Sequence, residues 1–159
     1  MKIIVFADSH TDVSTMLTIV KSEQPDAILH LGDHIADGLE LQENIDIIVY
    51  LVKGNTDQNY NGNEELLLTL ESKRIYMTHG HLYKVEDSLT ALRDAGTRVG
   101  AQIVLFGHTH QPFLTYMNGI WFMNPGRIGR ISGKIIHATY GLIRITENRI
   151  ECEISEVAL

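Results

Sequence analysis

Ile3-Ile4-Val5-Phe6-Ala7-Asp8-Ser9-His10 decides the fold, because an unbroken apolar run stops abruptly on an acid and a histidine. Four further stretches repeat that shape. They are Ile28-Leu29-His30-Leu31-Gly32-Asp33 and Val49-Tyr50-Leu51-Val52-Lys53-Gly54-Asn55-Thr56-Asp57, then Arg74-Ile75-Tyr76-Met77-Thr78-His79-Gly80-His81 and Ile103-Val104-Leu105-Phe106-Gly107-His108-Thr109-His110. Short β-branched runs of this kind read as buried strands. Parallel sheets gather the carboxyl ends of their strands at one edge, where open α/β folds place their ligands. Five strand ends that each carry Asp, Asn or His are most simply one metal site.

Helix signals separate the strands. Val13, Met16, Leu17 and Val20 fall at helical spacing, and Pro25 closes that segment. Ile35 to Asn44 reads as a shorter helix. Val85, Leu89, Leu92 and Val99 mark a third, with Glu86 and Asp87 placed in its first turn, where negative charge favours the helix dipole. Gln58 to Glu65 is polar and reads as a loop. Beyond His110 the pattern becomes antiparallel, with a hairpin signal at Asn118-Gly119 and a strand pair, His137 to Thr146 and Arg149 to Val157, around Glu147-Asn148. The expected fold class is α/β: two mixed sheets packed face to face, helices outside, in one domain over residues 1–159.

Composition narrows the partners. The chain has 159 residues, 44% hydrophobic and 21% charged, and a formal charge of −7. That charge argues against nucleic acid and anionic membranes, which need a positive footprint. It leaves room for a small phosphorylated substrate, since a metal centre supplies local positive charge. No stretch approaches the roughly 20 apolar residues of a membrane span. The first apolar run is too short for a secretory signal. The single cysteine, Cys152, allows no internal disulfide, so a cytoplasmic protein is expected. A homo-oligomer is left open.

The residue types specify the metal chemistry. Asp8 and His10, one residue apart in an extended segment, point the same way and can share one ion. Asp33 follows Gly32 and can bridge two ions through its two oxygens. Asn55 offers an amide oxygen, His79 an imidazole, and His108 and His110 repeat the one-residue spacing. Oxygen and imidazole donors without thiolate suit Mn, Fe, Zn or Ni.

Taken in order, Asp8-x-His10, Gly32-Asp33, Gly54-Asn55-x-Asp57, His79-Gly80-His81 and Gly107-His108-x-His110 resemble the motif set of the calcineurin-like metallophosphoesterases. Asn124-Pro125-Gly126 and the compact length are similar to the small bacterial and archaeal phosphodiesterase branch, which is related in fold to the retromer scaffold subunit. The resemblance implies a four-layer αββα sandwich with two divalent metal ions, Mn favoured. Asp8, His10 and His110 would hold one ion and Asn55, His79 and His108 the other, with Asp33 bridging. It also implies hydrolysis of a small organic phosphodiester by a metal-bridging hydroxide. A phosphomonoesterase, or a metal-binding scaffold without turnover, is the alternative.

Two departures matter. The phosphatase branch of that family has an Arg shortly after the bridging Asp and a His after the Asn, whereas this chain has His34-Ile35 and Thr56. Thr56 is too weak an acid to replace a histidine. His34 and His81 are the candidate catalytic substitutes. Arg127 and Arg130, after Asn124-Pro125-Gly126, are candidates for binding phosphate together with Asn55. Asp57 is expected to orient a histidine or the loop backbone. His30, mid-strand, and His137, outside every motif, are expected to be structural or on the surface.

Overall fold

The structure, a computed structural model, describes residues 1–129 and 138–157. Among these residues the chain runs β1 (Lys2–Phe6), α1 (Val13–Glu23), β2 (Ala27–His30), α2 (Ile35–Glu43), β3 (Ile48–Leu51), β4 (Glu65–Leu70), β5 (Lys73–Thr78), a 3₁₀ turn (His81–Tyr83), α3 (Thr90–Arg98), β6 (Ile103–Leu105), β7 (Phe113–Met117), β8 (Ile120–Asn124), β9 (Thr139–Ile145) and β10 (Ile150–Glu156). One sheet has the order β10-β9-β1-β2-β3, the other β4-β5-β6-β8-β7. β1, β2 and β3 run parallel, as do β5, β6 and β8, while β9 pairs antiparallel with β1 and β10, β4 with β5, and β7 with β8.

Side-chain alternation along β1 explains the layers. Ile3, Val5 and Ala7 face one way and join Leu29, Val52, Met77, Leu105 and Met123 between the two sheets. Ile4 and Phe6 face the other way and pack with Met16, Ile19 and Val20 of α1. On the second sheet, Val104 and Phe122 turn outward against Leu92 and Ala95 of α3. Strands buried on both faces carry no polar alternation, which is why they read as continuous apolar runs. Each fully buried Ile, Val or Phe contributes about 1.5–3 kcal/mol. The result is the expected four-layer αββα arrangement of two mixed sheets.

Three expectations change. The helix read over Val85 to Val99 is shorter, Thr90–Arg98. Val85 is buried in the same cluster as Leu92, but from a turn, so the helical spacing is satisfied without a helix, and Glu86 and Asp87 lie outside it. Glu65 opens strand β4 instead of closing a loop. The last third is antiparallel in its hairpins, yet β8 also pairs parallel to β6. β9 begins at Thr139, and His137 lies outside the described residues.

Candidate metal centre

The loops after the parallel strands are held in unusual backbone. Asp8, His10, Asp33, His34, His108 and His110 have φ between 44° and 71°. Non-glycine residues in this left-handed region cost free energy, and they cluster where a site demands a fixed geometry. Gly32 reaches φ 92°, and a side chain there would strike the Gly54 backbone. At Gly54 a Cβ would collide with the Asp33 carboxylate. These two glycines therefore let the β2 and β3 loops press together around Asp33.

Two donor groups result. Asp8, His10 and His110 form one, and Asp8, Asp33 and His79 the other, the ligand-type atoms of each lying within 4.8 Å of one another. Asp8 is the residue common to both groups. Asp33 acts electrostatically on His10, His110 and His79, so its field reaches both sides. Asp8 Oδ1 and Oδ2, His10 Nε2 and His79 Nε2 are buried without hydrogen-bond partners. His110 Nε2 comes within 3.3 Å of Asp8 Oδ1 and His79 Nε2 within 3.5 Å of Asp33 Oδ1. Buried polar atoms left unsatisfied are costly. Carboxylate oxygens and imidazole nitrogens converging in this way suit a divalent cation.

The surroundings fix those donors. His79 donates from Nδ1 to the Leu31 carbonyl at 2.8 Å, leaving Nε2 as the free lone pair. Burial pushes the Asp33 carboxyl up, but His79 and two hydrogen bonds from Thr56 outweigh it and hold it below the usual range. Those bonds, from the Thr56 amide at 3.1 Å and its hydroxyl at 2.9 Å, were not legible in the sequence. Asp57 accepts from the backbone amides of Ile35 at 2.9 Å and Gly54 at 2.8 Å, so it orients loop backbone. Asn124 ties the histidine loop, donating to the Gly107 carbonyl and to Thr109 Oγ1.

A buried network backs the first loop. His30 accepts at Nδ1 from the Gly32 amide and therefore donates from Nε2 to Ser9 Oγ at 3.1 Å. Ser9 in turn donates to Asp37 Oδ2 at 2.6 Å, which also accepts from the Thr11 amide. His30 is thus structural, and it braces the segment that carries Asp8 and His10.

The remaining candidates fall around this centre. His34 lies edge-on to His10, with ring centroids 4.9 Å apart. His81 sits 5.5 Å from the His79 ring and 6.2 Å from His108, and its buried Nδ1 has no partner. Burial, then His79 and His108, lower its pKa. Burial also lowers that of His10, whereas the Asp8 carboxylate raises His110 against burial. His108 lies 5.2 Å from His79, ring to ring, and its Nε2 is 3.6 Å from Glu86 Oε2. Asn55 is exposed in the turn after β3. Arg127 is half-buried and close enough to His110 to act on it electrostatically. Arg130 lies outside the described residues.

Residues 1–148 match the calcineurin-like phosphoesterase superfamily domain. The chain belongs to that family. It is 32% identical over 130 residues to the probable metallophosphoesterase YsnB of Bacillus subtilis (strain 168), covering 80% of this chain and 75% of that protein. The crystal structure of a predicted phosphoesterase from Streptococcus pneumoniae TIGR4 superimposes with a TM-score of 0.80 at 30% identity, covering 98% of this chain and 88% of that one. The phosphodiesterase YfcE of Escherichia coli (strain K12) is 30% identical over 106 residues, 60% of this chain and 52% of that protein. The family is metal-dependent, and the donor groups above are the residues of this chain that suit a metal. Among the described residues no helix is long and apolar enough to cross a membrane.

Proposed function

We propose that the protein is a phosphodiesterase acting on a small organic phosphate ester with two divalent ions, Mn favoured. The observation that carries this reading is the set of unpartnered buried donors on Asp8, His10 and His79, flanked by Asp33. Asp8, His10 and His110 would hold one ion, and Asn55, His79 and His108 the other, with Asp33 between them. When bound, such ions supply Lewis-acid chemistry: water acidified toward neutral pH and phosphoryl charge neutralised.

The chain's own groups do the rest. His81 offers an unpaired Nδ1 beside two proposed ligands, where a phosphate oxygen or departing ester oxygen can be met. Arg127 brings positive charge near His110. Thr56 spends its hydroxyl on Asp33, which removes it as a proton donor to substrate. Without the Arg after Asp33, a monoester dianion loses the clamp it depends on most. An activated diester suffers less from both absences. The YfcE relationship supports the same substrate class.

The test compares kcat/KM for bis(p-nitrophenyl) phosphate with that for an alkyl phosphomonoester at one Mn²⁺ concentration. Preference for the diester, abolished in Asp33→Asn, is the expected result. Preference for the monoester would make this a phosphatase. Full metal loading without turnover of either ester would leave the scaffold reading.

A further inference from the structure

Beside the metal centre lies a cleft of about 490 Å³ between the Val85–Leu89 turns and the Thr109–Phe113 segment. That volume suits a small-molecule group. Its floor is aromatic: Phe106, almost fully buried, and Phe113, 38% exposed, have ring centroids 6.0 Å apart, tilted at 54°. Val85 and Leu89 add apolar wall. Its rim is acidic, with Glu86 and Asp87 both exposed, and no Lys or Arg lines it among the described residues.

Two contacts join the cleft to the centre. Thr109 lines it and sits between His108 and His110, with its hydroxyl fixed by Asn124 Nδ2 at 3.0 Å. Glu86, also in the lining, approaches His108 Nε2 at 3.6 Å. A phosphoryl group at the proposed ligands therefore has this concavity immediately beside it.

Resting on the phosphodiesterase reading above, we infer that the cleft receives one ester substituent of the substrate, apolar in body and free of negative charge. A quaternary-ammonium alcohol fits best. The exposed Phe113 ring, backed by Phe106, attracts such a cation, and the acidic rim adds to that attraction while repelling carboxylates and further phosphates. The cleft thus selects among diesters by the alcohol they carry.

The experiment uses the full chain, metal-free for binding and Mn²⁺-loaded for kinetics. Binding of benzyltrimethylammonium, which has no phosphate, is followed by titration of the metal-free chain, where no ion can coordinate a carboxylate, against phenylacetate as the anionic counterpart. The cation binds and the anion does not, and Phe113→Ala and Asp87→Asn each weaken the cation by about fivefold. Kinetically, p-nitrophenyl phosphorylcholine exceeds p-nitrophenyl 2-carboxyethyl phosphate in kcat/KM by about tenfold. Phe113→Ala raises KM for the choline ester with kcat little changed. Failure of the cation to bind, or binding untouched by both substitutions, overturns the inference whatever the turnover. Cation binding at the cleft with no turnover of any diester would keep the cleft's chemistry and overturn the phosphodiesterase reading instead.

Discussion

His79 donates its Nδ1 proton to the Leu31 carbonyl oxygen, 2.8 Å away, and this bond joins the two sheets at the site. Leu31 follows β2 in the first sheet and His79 follows β5 in the second. The bond fixes the tautomer, so the Nε2 lone pair faces Asp33. The inter-sheet core beneath, with Leu29 and Met77 fully buried, keeps the two loops in register.

His79→Ala removes that lone pair. Metal content under saturating Mn²⁺ should fall by one equivalent, and turnover by more than about 100-fold, beyond the loss usual for an outer-sphere group. Metal analysis of the dialysed variant is the check. Unchanged content would remove His79 from the ligand set.

Thr56→Val deletes the hydroxyl bond to Asp33 and keeps the amide bond. The Asp33 carboxylate should be less well fixed, with kcat/KM lower by about tenfold and the overall fold retained. Steady-state kinetics alongside circular dichroism measures both. A loss as deep as that of Asp33→Asn would mean that Thr56 touches substrate itself.

The parallel strands were legible because burial on both faces makes them continuous apolar runs, as in Ile3 to Phe6. β4 was not, because it is an edge strand whose outward face carries Leu67, 41% exposed, so its alternation is blurred. The helical spacing of Val85 and Leu92 places the start of α3 too early, because the two share a buried cluster although only Leu92 is helical. A local signal was available there, since Ser88 Oγ accepts from the Thr90 amide at the helix start. Ligand-type residues at strand ends announce themselves one strand at a time. Their supports do not, since Thr56 with Asp33, and His30 with Ser9 and Asp37, meet only after the strands pair.

Asp57, 3% exposed, accepts two backbone amides. Asp57→Ala leaves both N–H groups unsatisfied, at about 1–3 kcal/mol each. Urea denaturation of the metal-free variant should show a total loss of about 2–6 kcal/mol. A loss below about 1 kcal/mol would show that water replaces the carboxylate at little cost.

His30 supplies a pH dependence. Burial holds its pKa at about 4 in the folded protein, against 6.5 for the unperturbed group. Between those values the unfolded chain binds more protons, so stability falls as pH drops from 6.5 toward 4, by on the order of 3 kcal/mol. The lowered His10 and His81 add the same sign, and the raised His110 opposes it. Histidine nitrogen NMR of the metal-free protein at pH 5.5 should find His30 neutral. A protonated ring there would contradict the donor assignment of the Ser9 network.

The account turns on one centre built from five strand ends. Its most direct test is the number of metal ions bound per chain after Mn²⁺ loading and removal of free metal. Two equivalents are expected, falling in Asp8→Asn, whose carboxylate stands in both donor groups, and in Asp33→Asn, whose carboxylate stands in the group with His79. A stoichiometry that stays at zero or one under saturating metal would contradict the two-metal centre.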